Sequence, residues 1–139
     1  MSLHIRDFTS QDLDSAIRLW QSDENIGLSS ADSPENIAAF LERNPGLSKV
    51  AESNGRTVGT LLCGHDGRRG YLYHLCVDEH YRRQGVGRSL VEACLDDLKK
   101  QGIRKCHLFV FNKNSFGRSF WKGTEWSQRT DIEVFSKDT

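Results

Sequence analysis

The feature that most constrains the fold is a strand–helix–strand run between residues 70 and 111. Residues 70–77 are rich in tyrosine, leucine and valine, the composition of a strand. A basic, glycine-containing loop follows at 81–87. Residues 87–100 then set Leu90, Val91, Cys94, Leu95 and Leu98 at helical spacing, and Gly102 stands where a helix end favours glycine. Residues 105–111 read as a second strand, buried on at least one face. A strand that returns to its sheet through a helix lies parallel to the first, by a right-handed crossover. The fold must therefore hold one parallel strand pair with a helix across it.

The rest of the chain reads differently. Residues 3–8 alternate apolar and polar, as a first strand does. Thr9 or Ser10 can cap a helix whose Leu13, Ile17 and Trp20 share one face. Asp32-Ser33-Pro34 opens a second helix with Ile37, Phe40 and Leu41 as its apolar stripe, and Asn44-Pro45-Gly46 stops it. Strands at 48–53 and 57–65 flank Asn54-Gly55, a strong hairpin signal, and Asp66-Gly67 turns the chain into 70–77. A short helix at 115–122 and a last strand at 128–135 complete the reading. The fold class expected is a mixed-sheet α/β (α+β) domain: an antiparallel meander with one parallel pair. With 139 residues, no repeat and no low-complexity linker, a single domain over 1–139 is expected.

Composition excludes several function classes. Lysine plus arginine number 19 and aspartate plus glutamate 19, so no net charge draws the chain to nucleic acid or anionic membrane. The N-terminus has no long apolar run, so neither a signal peptide nor an anchor is expected, and a soluble cytoplasmic protein is the default. Cys63, Cys76, Cys94 and Cys106 form no short-spaced pair and sit among apolar residues, as buried free thiols do. The five histidines do not cluster at ligand spacing, so no metal site is expected.

The segment that carries chemistry runs from Val77 to Leu90. It follows a strand and opens a helix. Gly85 and Gly87 permit close backbone approach, and a helix N-terminus offers unpaired N–H groups and partial positive charge. With Arg82, Arg83 and Arg88 alongside, the segment suits a diphosphate. A solvated basic loop with a glycine turn is the plainer alternative. A nucleoside-triphosphate loop is excluded because Gly87 is followed by Arg88-Ser89 rather than lysine and a hydroxyl residue. A dinucleotide fingerprint is excluded because no third glycine follows and the preceding strand is the fourth, not the first.

Arg82-x-x-Gly85-x-Gly87, led in by Leu75-Cys76-Val77-Asp78-Glu79-His80-Tyr81, resembles motif A of the GCN5-related N-acetyltransferase (GNAT) superfamily. The likeness covers most of the chain and is nearest to small bacterial single-domain acetyltransferases. It implies the acyl-CoA N-acyltransferase fold, with helices on both faces of the sheet and the parallel pair splayed. It implies acetyl-CoA as cosubstrate, with the pyrophosphate on the backbone from Arg83 through Gln84, Gly85, Val86, Gly87 and Arg88 to Ser89. The pantetheine arm would lie along Leu75, Cys76 and Val77, and Asn114 matches an asparagine that helps hold it, or else is a turn residue. A small-molecule or peptide amine is the implied acceptor, and dimers are common among relatives.

Direct attack on a thioester needs a neutral amine, an oxyanion donor and an acid for the thiolate. His74 has the ordinary pKa closest to the task, and Tyr71, Tyr73, His65 and Glu125 are further candidates for the base. Strand alternation sets Tyr71, Tyr73 and Leu75 on one face and Leu72, His74 and Cys76 on the other, unless a bulge intervenes. Where relatives carry a tyrosine acid, this chain has Trp121; where they carry alanine it has Gly117, and Glu125-Trp126 replaces a glycine-phenylalanine pair. An indole has no titratable proton near neutral pH, so Trp121 shapes the acyl pocket or donates one hydrogen bond. Two functional readings result. One is a CoA-dependent N-acetyltransferase with His74, Tyr73 and Trp121 at the reacting centre; the other is a weakly active or non-catalytic acyl-CoA-binding module.

Overall fold

The meander and the crossover join in one sheet. The computed structural model describes residues 3–139, which fall into two units, one ending at Phe109 and the other spanning Val110–Thr139. The first unit holds strands β1 (His4–Asp7), β2 (Lys49–Ser53), β3 (Arg56–His65), β4 (Gly70–Val77) and β5 (Cys106–Leu108), and helices α1 (Leu13–Gln21), α2 (Pro34–Arg43) and α3 (Val86–Lys100). The strands lie in sequence order, antiparallel except for β5, which runs parallel to β4.

Local chemistry sets the boundaries. Asn54 and Gly55 take φ of 51° and 78°, the left-handed pair that suits the twist of a two-residue hairpin. Thr9 N–H donates to Asp12 Oδ2 at 2.9 Å, and a 3-10 turn at Ser10–Asp12 leads into α1. Ser33 Oγ accepts the Asn36 N–H at 3.2 Å, with Pro34 opening α2. Helix α3 ends in a Schellman turn: Gly102, at φ 81°, donates to Lys99 O, and Ile103 N–H donates to Leu98 O.

Helices cover both faces of the sheet. On one face α1 and α2 bury Phe8, Ala16, Trp20, Ile37, Val50, Leu62 and Cys76 together, with Leu13, Ile17, Phe40 and Leu41 against them. On the other, Val86, Leu90, Val91, Cys94 and Leu98 of α3 are buried. Two glycines bring α3 close: a Cβ at Gly59 would lie 3.1 Å from Leu90 Cδ1, and one at Gly70 would lie 2.7 Å from Leu98 Cδ1. The buried Lys49 ties β1, β2 and α3, its Nζ lying 2.6 Å from Asp7 Oδ1 and also donating to Asp97 Oδ2. Burial alone would lower the Lys49 pKa, but the two carboxylates hold it above its ordinary value. Cys63, Cys76 and Cys94 are buried, Cys106 is half-buried, and all four are free thiols.

Two strand expectations need correction. The strand expected at 105–111 is only Cys106–Leu108. Its pairing runs Gly70↔Cys106, Tyr71↔His107, Leu72↔Leu108 and stops where β4 leaves regular geometry at His74, φ 55°. The strand expected at 128–135 does not form among the described residues. Ile132, Val134 and Phe135 are exposed there. Alternation supplies a strand with a face, but a strand also needs an edge to pair with. In the second unit the regular element is α4 (Ser115–Gly123).

Candidate functional site

The site begins with an extra residue in β4. Thr60 pairs with Cys76 and Leu62 with Tyr73, so Leu61 alone opposes both His74 and Leu75. That is a β-bulge on the β4 side, and it advances the alternation by one residue. Tyr73 therefore meets Phe40 of α2 edge-on, ring centroids 6.1 Å apart, while the next residue, His74, meets Trp20 of α1 at 4.8 Å. Tyr71 stacks on Tyr73, and Cys76 belongs to the same core cluster as Trp20. Tyr71, Tyr73, His74 and Cys76 thus share one face, where plain alternation sets Tyr71 and Tyr73 opposite His74 and Cys76. The bulge is the reason for the difference.

A buried relay holds the bulge. Trp20 Nε1–H donates to Thr60 Oγ1 at 2.8 Å, and Thr60 Oγ1 donates to the His74 carbonyl at 3.1 Å. Both Trp20 and Thr60 are fully buried. The His74 ring is fixed from a further direction. Its Nε2 lies 2.7 Å from Asp32 Oδ1, in a 3-10 turn at Ser30–Asp32 just before α2. Asp32 Oδ2 accepts the Ser29 N–H at 2.9 Å. Sequence reading gave Asp32 only a place at the start of a helix. The local signal, Ser29 followed three residues later by an acid, marks a capping box and not the partner of a histidine 42 residues away. Burial, with Tyr71 and Cys106 nearby, pushes the Tyr73 phenol above its ordinary range. With its pKa raised, Tyr73 keeps its proton at neutral pH and can donate a hydrogen bond.

Beyond Leu72, β4 runs on to Val77 without β5 beside it. This is a strand edge to which an extended chain can bind. Leu75 and Val77 are half-buried, and Cys76 is buried. The Cys76 Sγ faces Leu19 O and Asp23 Oδ2, and burial followed by Asp23 pushes its pKa up to about 12. Cys76 is no nucleophile at neutral pH, and what it can offer a ligand is backbone.

The strand then turns into α3. Asp78 Oδ1 accepts the His80 N–H at 2.9 Å, and a 3-10 turn spans Glu79–Tyr81. Arg82 faces inward: its Nε donates to Val77 O at 3.0 Å, and its guanidinium lies 3.6 Å from Asp23. It ties the end of β4 to the segment after α1. Arg83, at φ 61°, and Gln84 are exposed. Gly85 is the N-cap of α3 at φ 84°, with nothing within 4 Å of where a Cβ would stand. A glycine cap has no side chain to satisfy the first turn. The first helical bond runs from Ser89 N–H to Gly85 O, so the amides of Val86, Gly87 and Arg88 have no acceptor within the helix. Val86 is buried and anchors this end, while Arg88 is exposed and Ser89 half-buried. The result is an open, positively polarised helix start with Arg83 and Arg88 free to reach an anion.

Asn114 and Trp121 lie in the second unit. Asn114 Oδ1 accepts the Gly117 N–H at 2.8 Å and caps α4. A Cβ at Gly117 would meet the Asn114 side-chain amide as it now lies, so a larger residue there would shift that amide. Trp121 packs edge-on against Phe120 and Trp126, at 4.9 and 5.0 Å. Glu125 takes φ 73° while Trp126 N–H closes back on Trp121 O. Glutamate thus holds the left-handed position at which a glycine would be unstrained. Among the described residues no three His, Cys, Asp or Glu side chains could hold a metal ion, and no helix is long and apolar enough to cross a membrane.

Comparison with known proteins fits this geometry. The model of the acetyltransferase (GNAT) family matches residues 13–124. An acetyltransferase of Pectobacterium atrosepticum is 34% identical over 113 residues, which cover 81% of this chain and 79% of that protein. An acetyltransferase of Sodalis glossinidius is 30% identical over 136 residues, 97% of this chain and 94% of the relative. Among solved structures, the PaiA N-acetyltransferase from Thermoplasma acidophilum in complex with coenzyme A superposes with a TM-score of 0.78 at 23% identity, covering 88% of each chain. At that identity the likeness concerns the fold.

Proposed function

The chain belongs to the acetyltransferase (GNAT) family, and on that premise we propose that it moves an acetyl group from acetyl-CoA to a primary amine of a small molecule or peptide, within one acyltransferase domain. The observation that carries the reading is the start of α3, capped by a glycine that has no side chain, one short connection beyond the half of β4 that β5 leaves unpaired. These residues fit a CoA cosubstrate. The amides of Val86, Gly87 and Arg88, with the Arg83 and Arg88 side chains, hold the pyrophosphate, and Gln84, Gly85 and Ser89 complete the loop around it. Leu75, Cys76 and Val77 offer backbone to the pantetheine arm. Arg82 keeps the end of β4 in position for this.

Acetyl-CoA supplies an acetyl group already activated as a thioester. The acceptor reacts as the neutral amine, and His74 takes one proton from its nitrogen and returns it to solvent. The nitrogen bonds to the acetyl carbon as the carbon–sulfur bond opens, and the departing thiolate takes a proton from solvent, giving the N-acetyl product and CoA. A thiol pKa of about 8.5 makes this departure feasible without a tyrosine acid. Tyr73 donates a hydrogen bond at the reacting centre. Asn114 serves first as the cap of α4.

Calorimetric titration with acetyl-CoA, CoA and dephospho-CoA tests the reading. One saturable site per chain is expected, and Gly85→Asp is expected to weaken binding more than tenfold by setting a carboxylate among the phosphates. No binding by a folded, CoA-free sample overturns it. Binding without thiol release, for any amine tried, points instead to an acyl-CoA-binding module.

A further inference from the structure

We infer that Asp32 is the positioning residue of the His74 base: it holds the ring proton on Nε2 and so leaves the Nδ1 lone pair to take the proton of the acceptor amine. The inference rests on the acetyl-transfer reading above. An ionised carboxylate only accepts hydrogen bonds, so the 2.7 Å contact between His74 Nε2 and Asp32 Oδ1 requires the ring to donate. The neutral imidazole then has its lone pair on Nδ1. No side chain or backbone group among the described residues bonds Nδ1. The only buried, unpartnered side-chain polar atom among them is Ser53 Oγ, so Nδ1 reaches solvent.

The support around the ring has one purpose in common. The side chains of His74 and Asp32 are 14% and 13% exposed, enough to shelter the pair without sealing it. Trp20 fixes the ring plane from α1, and the Thr60 hydroxyl fixes the backbone. The charged and titratable groups nearby are few. Besides Asp32 there are Tyr71, Tyr73 and Cys76 of the same strand, and Asp23 after α1, which already engages Cys76 and Arg82. From α2 the uncharged Phe40 packs on the adjacent Tyr73. His74 also immediately precedes the stretch of β4 assigned to the pantetheine arm. A base oriented by a carboxylate is the same logic that serves histidine in other acyl-transfer sites.

Asp32→Asn separates this role from mere bracing. Ser29 N–H is a fixed donor, so the new amide must turn its oxygen there, as Asp32 Oδ2 does now. Its NH₂ then faces His74 Nε2, which must accept, and the ring proton moves to Nδ1. Long-range ¹H–¹⁵N spectra of histidine-labelled protein, with His74 assigned by its loss in His74→Gln, read this without any ligand. The expected result is Nε2–H in the neutral parent and Nδ1–H in Asp32→Asn. Thiol release from acetyl-CoA, with n-butylamine and a tetrapeptide N-terminus as acceptor probes, is expected to fall by about 10²-fold or more in Asp32→Asn. His74→Gln should fall similarly, and the double variant no further, as for groups acting as a unit. Acetyl-CoA affinity should stay unchanged in all three. Parental Nδ1–H, or an Asp32→Asn rate within threefold of the parent, overturns the inference while acetyl-CoA use stands. Failure of the parent to bind acetyl-CoA overturns the acetyl-transfer reading itself, whatever the tautomer.

Discussion

Thr60→Val is the sharpest probe of how the core delivers His74 to its position. The change keeps the shape and removes one hydroxyl. That hydroxyl accepts from Trp20 Nε1 at 2.8 Å and donates to His74 O at 3.1 Å, and both Thr60 and Trp20 are fully buried. Without it the buried indole N–H loses its acceptor. An orphaned buried donor costs about 1–3 kcal/mol, and the lost bond to the His74 carbonyl adds about 1 kcal/mol. A destabilisation of about 2–4 kcal/mol results. For a chain of 139 residues, the unfolding entropy is about 0.3 kcal/mol per degree, so the melting midpoint should fall by about 7–14 °C. Circular dichroism melts read this directly. Thr60→Ser keeps the hydroxyl and loses only a methyl, so it should cost about 1 kcal/mol. Trp20→Phe combined with Thr60→Val should recover part of the loss, with a coupling of about 1 kcal/mol, because no indole N–H is then left unpaired. If Thr60→Val melts within about 2 °C of the parent, the relay does not support the bulge and the reasoning fails.

Three further outcomes follow from particular contacts. Gly85→Ala puts a Cβ into open space but at φ 84°, so urea unfolding should show a loss of about 1–2 kcal/mol from backbone strain alone. Glu125→Gly relieves the strain at φ 73° and should slow hydrogen exchange of the Trp126 amide about fivefold, equivalent to about 1 kcal/mol. The Asp12 carboxyl, which burial alone would raise, is held below its ordinary range by Arg6 and by the Thr9 N–H. Its folded pKa is depressed, so its contribution is full above about pH 5 and is lost as pH falls through the unfolded value near 4 and then the folded one. Arg6→Met should therefore lower stability at pH 7 and flatten its decline between about pH 5 and 2, measured by urea unfolding at each pH.

Much of the architecture was legible because it is written in local chemistry. The period of Leu90, Cys94 and Leu98 requires a helix; Asn54-Gly55 requires a tight hairpin; Pro34 after Ser33 opens a helix at a fixed residue. The glycine turn into α3 was visible from Gly85 and Gly87, although the helix starts at Val86 with Gly85 as its left-handed N-cap, one residue before the expected start. The last strand was not, because alternation at Ile132 and Val134 is only half of what a strand needs. The substitution of Glu125 for glycine reads in sequence as a departure from relatives. The structure shows the same left-handed turn closed on Trp121 with a strained residue in it.

The sequence by itself determined the order of strands and helices, from which the crossover is inferred, and the open helix start, for each element is marked by spacing and turn residues within its own segment. The candidate reacting centre was decided elsewhere. A single extra residue opposite Leu61 turns His74 onto the face of Tyr73, and no periodicity within β4 encodes that shift. Trp20, Asp32, Thr60 and His74 come from one helix, one turn and two strands, and they meet only when α1 and the 30–32 turn close over the sheet. Side-chain period is local and can be counted along a chain; the phase of a bulge and the partner of a buried ring depend on packing between segments far apart in sequence.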